Sequence, residues 1–273
     1  MDKLNFLTAG MPLRTANKGY GRAFEILDEM LLDGLELEFV RGVRISDASR
    51  TTVKNSSMIK TIHAPFYINL NAREEEKIEA SIQRIVETAE IAQDIGAFSI
   101  TYHAGYYLNM DKEKVYETIK KQTAIITDIL SKAGVTVWIR PETTGKATQW
   151  GDLEEIINLS KEFEYVLPCV DFSHLHARYN GISNTYDEFA QIFEKIAKEL
   201  EEKKPLENFH AHMAGIEYTA KGEKQHLNFK ESDFNYKDLL KAFKDFDVKG
   251  AIVCESPNIE DDAKLIRDYY YSL

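Results

Sequence analysis

The sequence predicts an α/β protein, a (β/α)8 TIM barrel formed as a single domain over residues 1–273. Three observations carry that prediction. Short apolar runs alternate with amphipathic stretches, eight of each, without a break in composition, the pattern of one parallel sheet wrapped by helices. Eight repeats favour closure into a barrel over an open doubly wound sheet. No Gly-rich fingerprint follows the first run, which counts against a dinucleotide-binding fold.

Taken in order, the expected strands are residues 5–9, 35–40, 60–65, 98–103, 135–140, 166–171, 208–213 and 251–255. The sixth is the most informative. Val166, Leu167 and Val170 are apolar without alternation, as in a strand covered on both faces, and polarity then switches to Asp171 and His174. Helical patterns begin near Tyr20, Arg73, Met110, Asp152, Tyr186, Tyr236 and Ile259, and residues 47–57 form a weaker, polar candidate. Asn109 or Asp111 suits the cap of the fourth helix, which Gly134 ends; Gly96 closes the third and Gly34 the first.

Composition narrows the function classes. A formal net charge of −11 argues against a protein coated in basic surface while leaving room for a local basic cleft. No run approaches the ~18 apolar residues of a membrane span, so no membrane partner is expected. Met1-Asp2-Lys3 leads into no signal-like segment, and Cys169 and Cys254 lie inside apolar runs as free thiols. Both features fit a cytoplasmic protein, and charged helix faces without an apolar interface suggest a monomer.

All seven histidines fall near strand ends: His63, His103, His174, His176, His210, His212 and His226, the last in the loop after the seventh strand, with none in an expected helix. Asp171, Glu142 and Glu255 occupy equivalent positions. In a closed barrel these termini form one rim, where barrel enzymes place their active sites. Imidazole and carboxylate together suit a divalent cation, zinc first and manganese where carboxylates dominate. One zinc takes three or four protein ligands, and this set offers more. Two or three ions are therefore expected, with Glu142 bridging, an arrangement suited to phosphate-ester hydrolysis.

The motifs resemble those of the endonuclease IV family of apurinic/apyrimidinic endonucleases. His63-Ala64-Pro65-Phe66-Tyr67-Ile68-Asn69-Leu70 is similar to the family's His-x-x-Tyr-x-Ile-Asn-Leu, and His103-Ala104-Gly105 to its His-Pro-Gly. Pro141-Glu142-Thr143-Thr144-Gly145-Lys146 resembles the segment of the bridging glutamate, Cys169-Val170-Asp171-Phe172-Ser173-His174 its Cys-Ile-Asp-x-x-His, and Cys254-Glu255-Ser256-Pro257 its closing Glu-Thr. The resemblance implies a zinc-dependent DNA-repair hydrolase that cuts double-stranded DNA 5′ to abasic sites, with Glu142 and Glu255 as catalytic groups. His63, His103 and Glu142 would hold one zinc. Glu142, Asp171, Glu255 and either His210 or His212, the latter better spaced from His226, would hold the second; His174 and His226 belong to the third.

Two positions depart from the family. Lys224 stands where its third site has Asp, leaving Glu223 or Glu217 as replacements, and Phe66 stands where its DNA-probing tyrosine is expected, with Tyr67 next. Arg41 and Arg44 after the second strand are candidate phosphate contacts beside Phe66 and Tyr67. The alternative is a single-metal sugar isomerase or epimerase of the xylose-isomerase-like barrel superfamily using Glu142, Asp171, His212 and Glu255. A barrel that kept the site and lost catalysis is a third reading.

Overall fold

The computed structural model describes residues 1–273. Its strands open with β1 (Leu4–Ala9), β2 (Gly34–Glu38), β3 (Ile59–His63) and β4 (Ser99–Tyr102). The two-residue strands β5 (Gly105–Tyr106) and β7 (Gln149–Trp150) pair with each other on either side of β6 (Trp138–Pro141) in sequence. Then come β8 (Val170–Asp171), β9 (Phe209–Met213), the antiparallel ribbon β10 (Gly215–Thr219) and β11 (Gly222–Leu227), and β12 (Gly250–Cys254). The parallel sheet runs β6-β4-β3-β2-β1-β12-β9-β8. It closes through parallel bridges Ile139↔Val166 and Glu142↔Cys169. Pro168, which lacks an N–H, interrupts that last seam, so the strand expected over 166–171 survives as two bridges and the short β8.

Register decides what the barrel holds. Glu36 pairs with Thr61, Glu38 with His63, His63 with Thr101 and Thr101 with Arg140. Around the ring, His210 pairs with Ala251, and His212 with both Val253 and Asp171. Partners in register project to the same side of a sheet, so this set lines the interior. Phe6, Leu37, Ile62, Ile100, Ile139 and Ile252 project the other way and join the main apolar core under the helices. Inside, only Leu7, Ala251 and Val253 form a small separate apolar cluster.

The outer layer is α1 (Gly19–Glu29), α2 (Asp47–Asn55), α3 (Glu75–Ile95), α4 (Lys112–Lys132), α5 (Leu153–Glu162), α6 (Phe172–Arg178), α7 (Tyr186–Glu199), α8 (Tyr236–Asp245) and α9 (Glu260–Ser272). In α7, Phe189, Ile192, Phe193 and Ile196 recur at helical spacing and are buried. Phe193 meets Phe172, Phe209 and Phe243 at ring-centroid distances of 5.5, 5.5 and 4.9 Å, tying α6, α7 and α8 to β9. No helix is long and apolar enough to cross a membrane.

Four expectations change. The segment after Asp171 is not loop: Asp171 accepts from the His174 N–H at 2.7 Å and caps α6, so His174 and His176 are helical. His226 lies on strand β11. The polar 47–57 segment is a full helix, α2, capped by Ser46. Gly34 does not close α1, which ends before a left-handed Leu31; a Cβ at Gly34 would sit 1.9 Å from the Ile59 carbonyl oxygen, so close strand approach explains that glycine.

Phe193→Ala empties the centre of the aromatic cluster and is expected to cost about 3–5 kcal/mol in urea unfolding. A loss below 1 kcal/mol would show that α7 is not anchored there.

Candidate metal centre at the barrel rim

Glu142 lies at the carboxyl end of β6, buried, with its backbone N–H bonded to Tyr102 across the sheet. Its Oε2 meets His63 Nε2 at 3.1 Å and His103 Nε2 at 3.2 Å. Its Oε1 faces the other way, 3.2 Å from His174 Nδ1 and 3.5 Å from His212 Nδ1. His63 is steered by its own neighbour: Nδ1 lies 2.7 Å from the Ala64 carbonyl oxygen, so that nitrogen donates and Nε2 is turned toward Glu142. His212 Nδ1 also stands 3.3 Å from Glu255 Oε1, and His174 Nδ1 lies 3.3 Å from Asp171 Oδ2.

These contacts resolve into three donor groups able to hold a cation: His63, His103 and Glu142; Glu142, Asp171, His212 and Glu255; and Asp171, His174 and His226. They share Glu142 and Asp171. His210 is drawn into a fourth, deeper group with Cys169 and His212, and its ring faces Glu36 and Ser99. His176 turns away altogether, between the Ile182 carbonyl at 3.2 Å and Asp233 at 3.2 Å.

The donor set fits divalent cations. Buried polar atoms are nearly always hydrogen-bonded, yet Glu142 Oε1, Asp171 Oδ2, His103 Nε2, His212 Nδ1 and Glu255 Oε2 are buried without a hydrogen bond. Five such atoms converging from five strand ends match nitrogen and oxygen ligands awaiting a shared charge. Without a cation, protons play that part. For His63, burial works against the proton, but the Glu142 carboxylate outweighs it and pushes the imidazole up to about 10. Burial also opposes ionisation of Glu142 and Glu255; His103 and His212 hold Glu142 well below the usual carboxylate range, and His212 takes Glu255 down to about 2. At Asp171 burial prevails and raises the carboxyl to about 6.

The third group gains a carboxylate through a bulge. In the ribbon, Glu217 pairs with Gln225 but Tyr218 pairs with Glu223, which leaves Lys224 as the extra residue. The parity shift turns Lys224 outward to Glu217, at 2.6 Å, and brings Glu223 onto the face of His226. Glu223 Oε2 then lies 3.6 Å from His174 Nε2, which is 3.4 Å from His226 Nε2. Of the two replacements that the sequence leaves for the missing Asp, Glu217 is occupied outside and Glu223 faces the site. Gly145 makes room for it: a Cβ there would lie 2.6 Å from Glu223 Cβ and 3.1 Å from the His174 ring.

A cavity of about 200 Å³ opens above these groups, walled by Glu38, His63, His103, Glu142, Glu223, Glu255 and the base of Phe66. Glu38, which the sequence reading passed over, is pushed up to about 8 by burial and by neighbouring Glu36. At the mouth, Phe66 and Tyr67 are exposed and meet edge to face at 5.5 Å, and Arg84 stacks 4.5 Å over Tyr67. Arg41 and Arg44 are exposed nearby and carry no acidic partner, whereas Arg14 is held by Asp261 and Arg50 by Asp94.

A closed parallel barrel with its imidazoles and carboxylates gathered at the strand C-termini is the architecture in which barrel enzymes build their active sites. The chain belongs to the Xylose isomerase-like TIM barrel family, whose model matches residues 23–271. It is 44% identical over 272 residues to an uncharacterised protein of Methanocaldococcus jannaschii, covering 99% of this chain and 98% of that one. It is 26% identical over 138 residues to a probable endonuclease 4 of Clostridium botulinum, covering 49% of each chain. Solved structures that share the fold include the following two. A D-tagatose 3-epimerase-like protein superposes with a TM-score of 0.72 at 18% identity, covering 99% of this chain and 97% of its own. Endonuclease IV from Thermus thermophilus superposes with a TM-score of 0.69 at 18% identity, covering 99% and 100%. The same fold is thus shared with an endonuclease IV and with a D-tagatose 3-epimerase-like protein.

Gly145→Ala is expected to push Glu223 out of the cavity and to cost about 1–3 kcal/mol by overpacking, read as a lowered thermal midpoint. An unchanged midpoint would mean that Glu223 moves aside freely and is not seated by Gly145.

Proposed function

We propose that the protein is a metal-dependent endonuclease that hydrolyses the phosphodiester 5′ to abasic sites in double-stranded DNA, leaving a 3′-hydroxyl. One observation carries this reading: donor groups lie on both sides of Glu142, with His63 and His103 on one side and His174 and His226 beyond the other. A single-metal isomerase needs only the middle group and gives these four imidazoles no task. The half-length similarity to a probable endonuclease 4 supports the same choice.

In this reading His63, His103 and Glu142 hold one zinc, Glu142, Asp171, His212 and Glu255 a second, and His174, His226 and Glu223 a third. Bound divalent cations supply Lewis acidity toward the phosphodiester and toward water. The chain's own groups do the rest. Glu255 Oε2, without a hydrogen bond and facing His226 at 4.0 Å, orients the attacking water by accepting a hydrogen bond from it. Phe66 and Tyr67 occupy the gap in the base stack, and Arg41 and Arg44 hold flanking phosphates. An abasic sugar leaves the duplex at low cost because no base must be unstacked.

The second reading, a single-metal sugar epimerase, rests on the compact group Glu142, Asp171, His212 and Glu255 together with the D-tagatose 3-epimerase-like fold. Metal analysis paired with incision of a duplex carrying one abasic analogue separates the two. Two or three zinc ions per chain and chelator-sensitive incision are expected. One ion, no incision and turnover of a ketohexose would establish the epimerase. Glu142→Gln should abolish incision while the protein stays folded, and more than a tenth of the wild-type rate would contradict a bridging role.

Metal loading should also follow pH in a definite direction. The metal-free protein keeps a proton on His63 up to about 10, and a bound cation must displace it. Zinc affinity measured against a chromophoric chelator is therefore expected to rise about tenfold or more per pH unit between pH 6 and 8. A flat profile would show that His63 is not a ligand.

A further inference from the structure

Beneath the rim lies a chain of polar groups that the proposed ligand set does not use. Glu36, on β2, projects into the barrel and is fully buried. Its Oε1 lies 3.1 Å from His212 Nε2 and its Oε2 lies 3.3 Å from His210 Nε2. On the far side of His210, Nδ1 meets the Ser99 hydroxyl at 2.9 Å. The His210 and His212 rings stand 5.1 Å apart at 67°, so one carboxylate spans both.

The approaches to Glu36 are close charge contacts rather than aligned hydrogen bonds, and the carboxylate's charge sets the protons beside it. An ionised carboxylate only accepts, so the imidazole nitrogens facing Glu36 carry hydrogen. His210 then has its lone pair on Nδ1, where the Ser99 hydroxyl donates. His212 faces carboxylates at both nitrogens, Glu36 at Nε2 and Glu142 and Glu255 at Nδ1, so a cation bound at Nδ1 would take the place of a proton there while Nε2 keeps its own. A histidine that binds metal through one nitrogen commonly donates its other N–H to a carboxylate, which sets its tautomer, its ring angle and its basicity.

We propose that Glu36 is a positioning residue for the second cation: it keeps the His212 proton on Nε2 so that Nδ1 is the nitrogen presented to the cation, and it is itself flanked by His210, which Ser99 meets from behind. The inference rests on the reading of Glu142, Asp171, His212 and Glu255 as a metal site. It gives His210 a task without making it a ligand, and it explains a carboxylate placed where no substrate reaches.

Cobalt(II) loading of the metal-stripped full-length protein tests this, read by visible absorption and by chelator competition. Glu36→Leu is expected to lower the affinity of one ion by roughly 10–100-fold and shift its absorption, leaving the remaining binding unchanged. Glu36→Gln keeps an oxygen for His212 and turns its amide to His210, whose tautomer Ser99 accommodates; affinity within about threefold of wild type is expected. A purely structural Glu36 would lower the thermal midpoint of the metal-free variant and leave cobalt affinity alone, which would overturn the proposal. Should Glu36→Leu fail to fold, nitrogen-15 histidine spectra of the zinc-loaded wild type decide the matter. Protonation of His212 on Nε2 supports it, and protonation on Nδ1 overturns it. Wild-type protein that takes up no cobalt defeats the metal reading itself, whereas normal loading with unchanged Glu36→Leu affinity defeats the role of Glu36 alone.

Discussion

The carboxylate of Glu142, shared between imidazoles on both sides, is the contact on which the rest of the centre depends. Its position is also where the barrel shuts. The backbone bridge Glu142↔Cys169 is one of only two that join β6 to the segment leading into β8, and Thr143 continues it by donating to the Cys169 carbonyl. Thr143 then exchanges side-chain hydrogen bonds with the Asp171 backbone in both directions. The seam that closes the sheet therefore sets the spacing between Glu142 and Asp171. A barrel that failed to close there would lose the middle donor group before it lost its helices.

A polar interior normally weakens a fold, since burying an unpaired charge costs several kcal/mol even after relaxation. Here Glu36, Glu142, Asp171, His174, His210 and His212 are all buried within the barrel or at its rim. Stability has to come from elsewhere, and the outer layer supplies it. The apolar core lies between sheet and helices, and the Phe172–Phe193–Phe209–Phe243 cluster sits directly behind Asp171 and His174. The same α6 that carries His174 inward buries Phe172 outward. The division of labour is spatial: the outward side of each strand stabilises, and the inward side is free to hold charge.

Much of this was legible in the sequence, and the parts that were not have physical reasons. Uninterrupted apolar runs marked the strands, and acidic and imidazole residues at their ends marked the rim. The run Gly34-Leu35-Glu36-Leu37-Glu38 is a strand, as expected, but alternation alone does not say which medium its polar face meets. In a closed barrel the second face is the interior, so register with Thr61 and His63 carries both carboxylates inward. The helix α6 is only seven residues long and starts inside a motif that already reads as a strand end. Its cap, Asp171, serves as a helix signal and a candidate ligand at once, and periodicity cannot separate those uses. The spacing to Lys224 suggested a lost ligand, and no pattern in the sequence announces a bulge.

That bulge bears on which chemistry the barrel performs. The middle donor group is what the nuclease and sugar-isomerase readings have in common, so it cannot discriminate between them. The flanking groups can. His63 and His103 come from β3 and the end of β4, but the opposite flank depends on a ribbon inserted between β9 and α8. A regular two-residue alternation would direct Lys224 toward the site beside His226 and place an ammonium next to His174. The extra residue instead sends that charge to Glu217 and turns Glu223 inward. A cation-repelling wall becomes an acidic one through a change of one residue in register. The ribbon is therefore built so that His174 and His226 face a carboxylate, which a single central cation would not require.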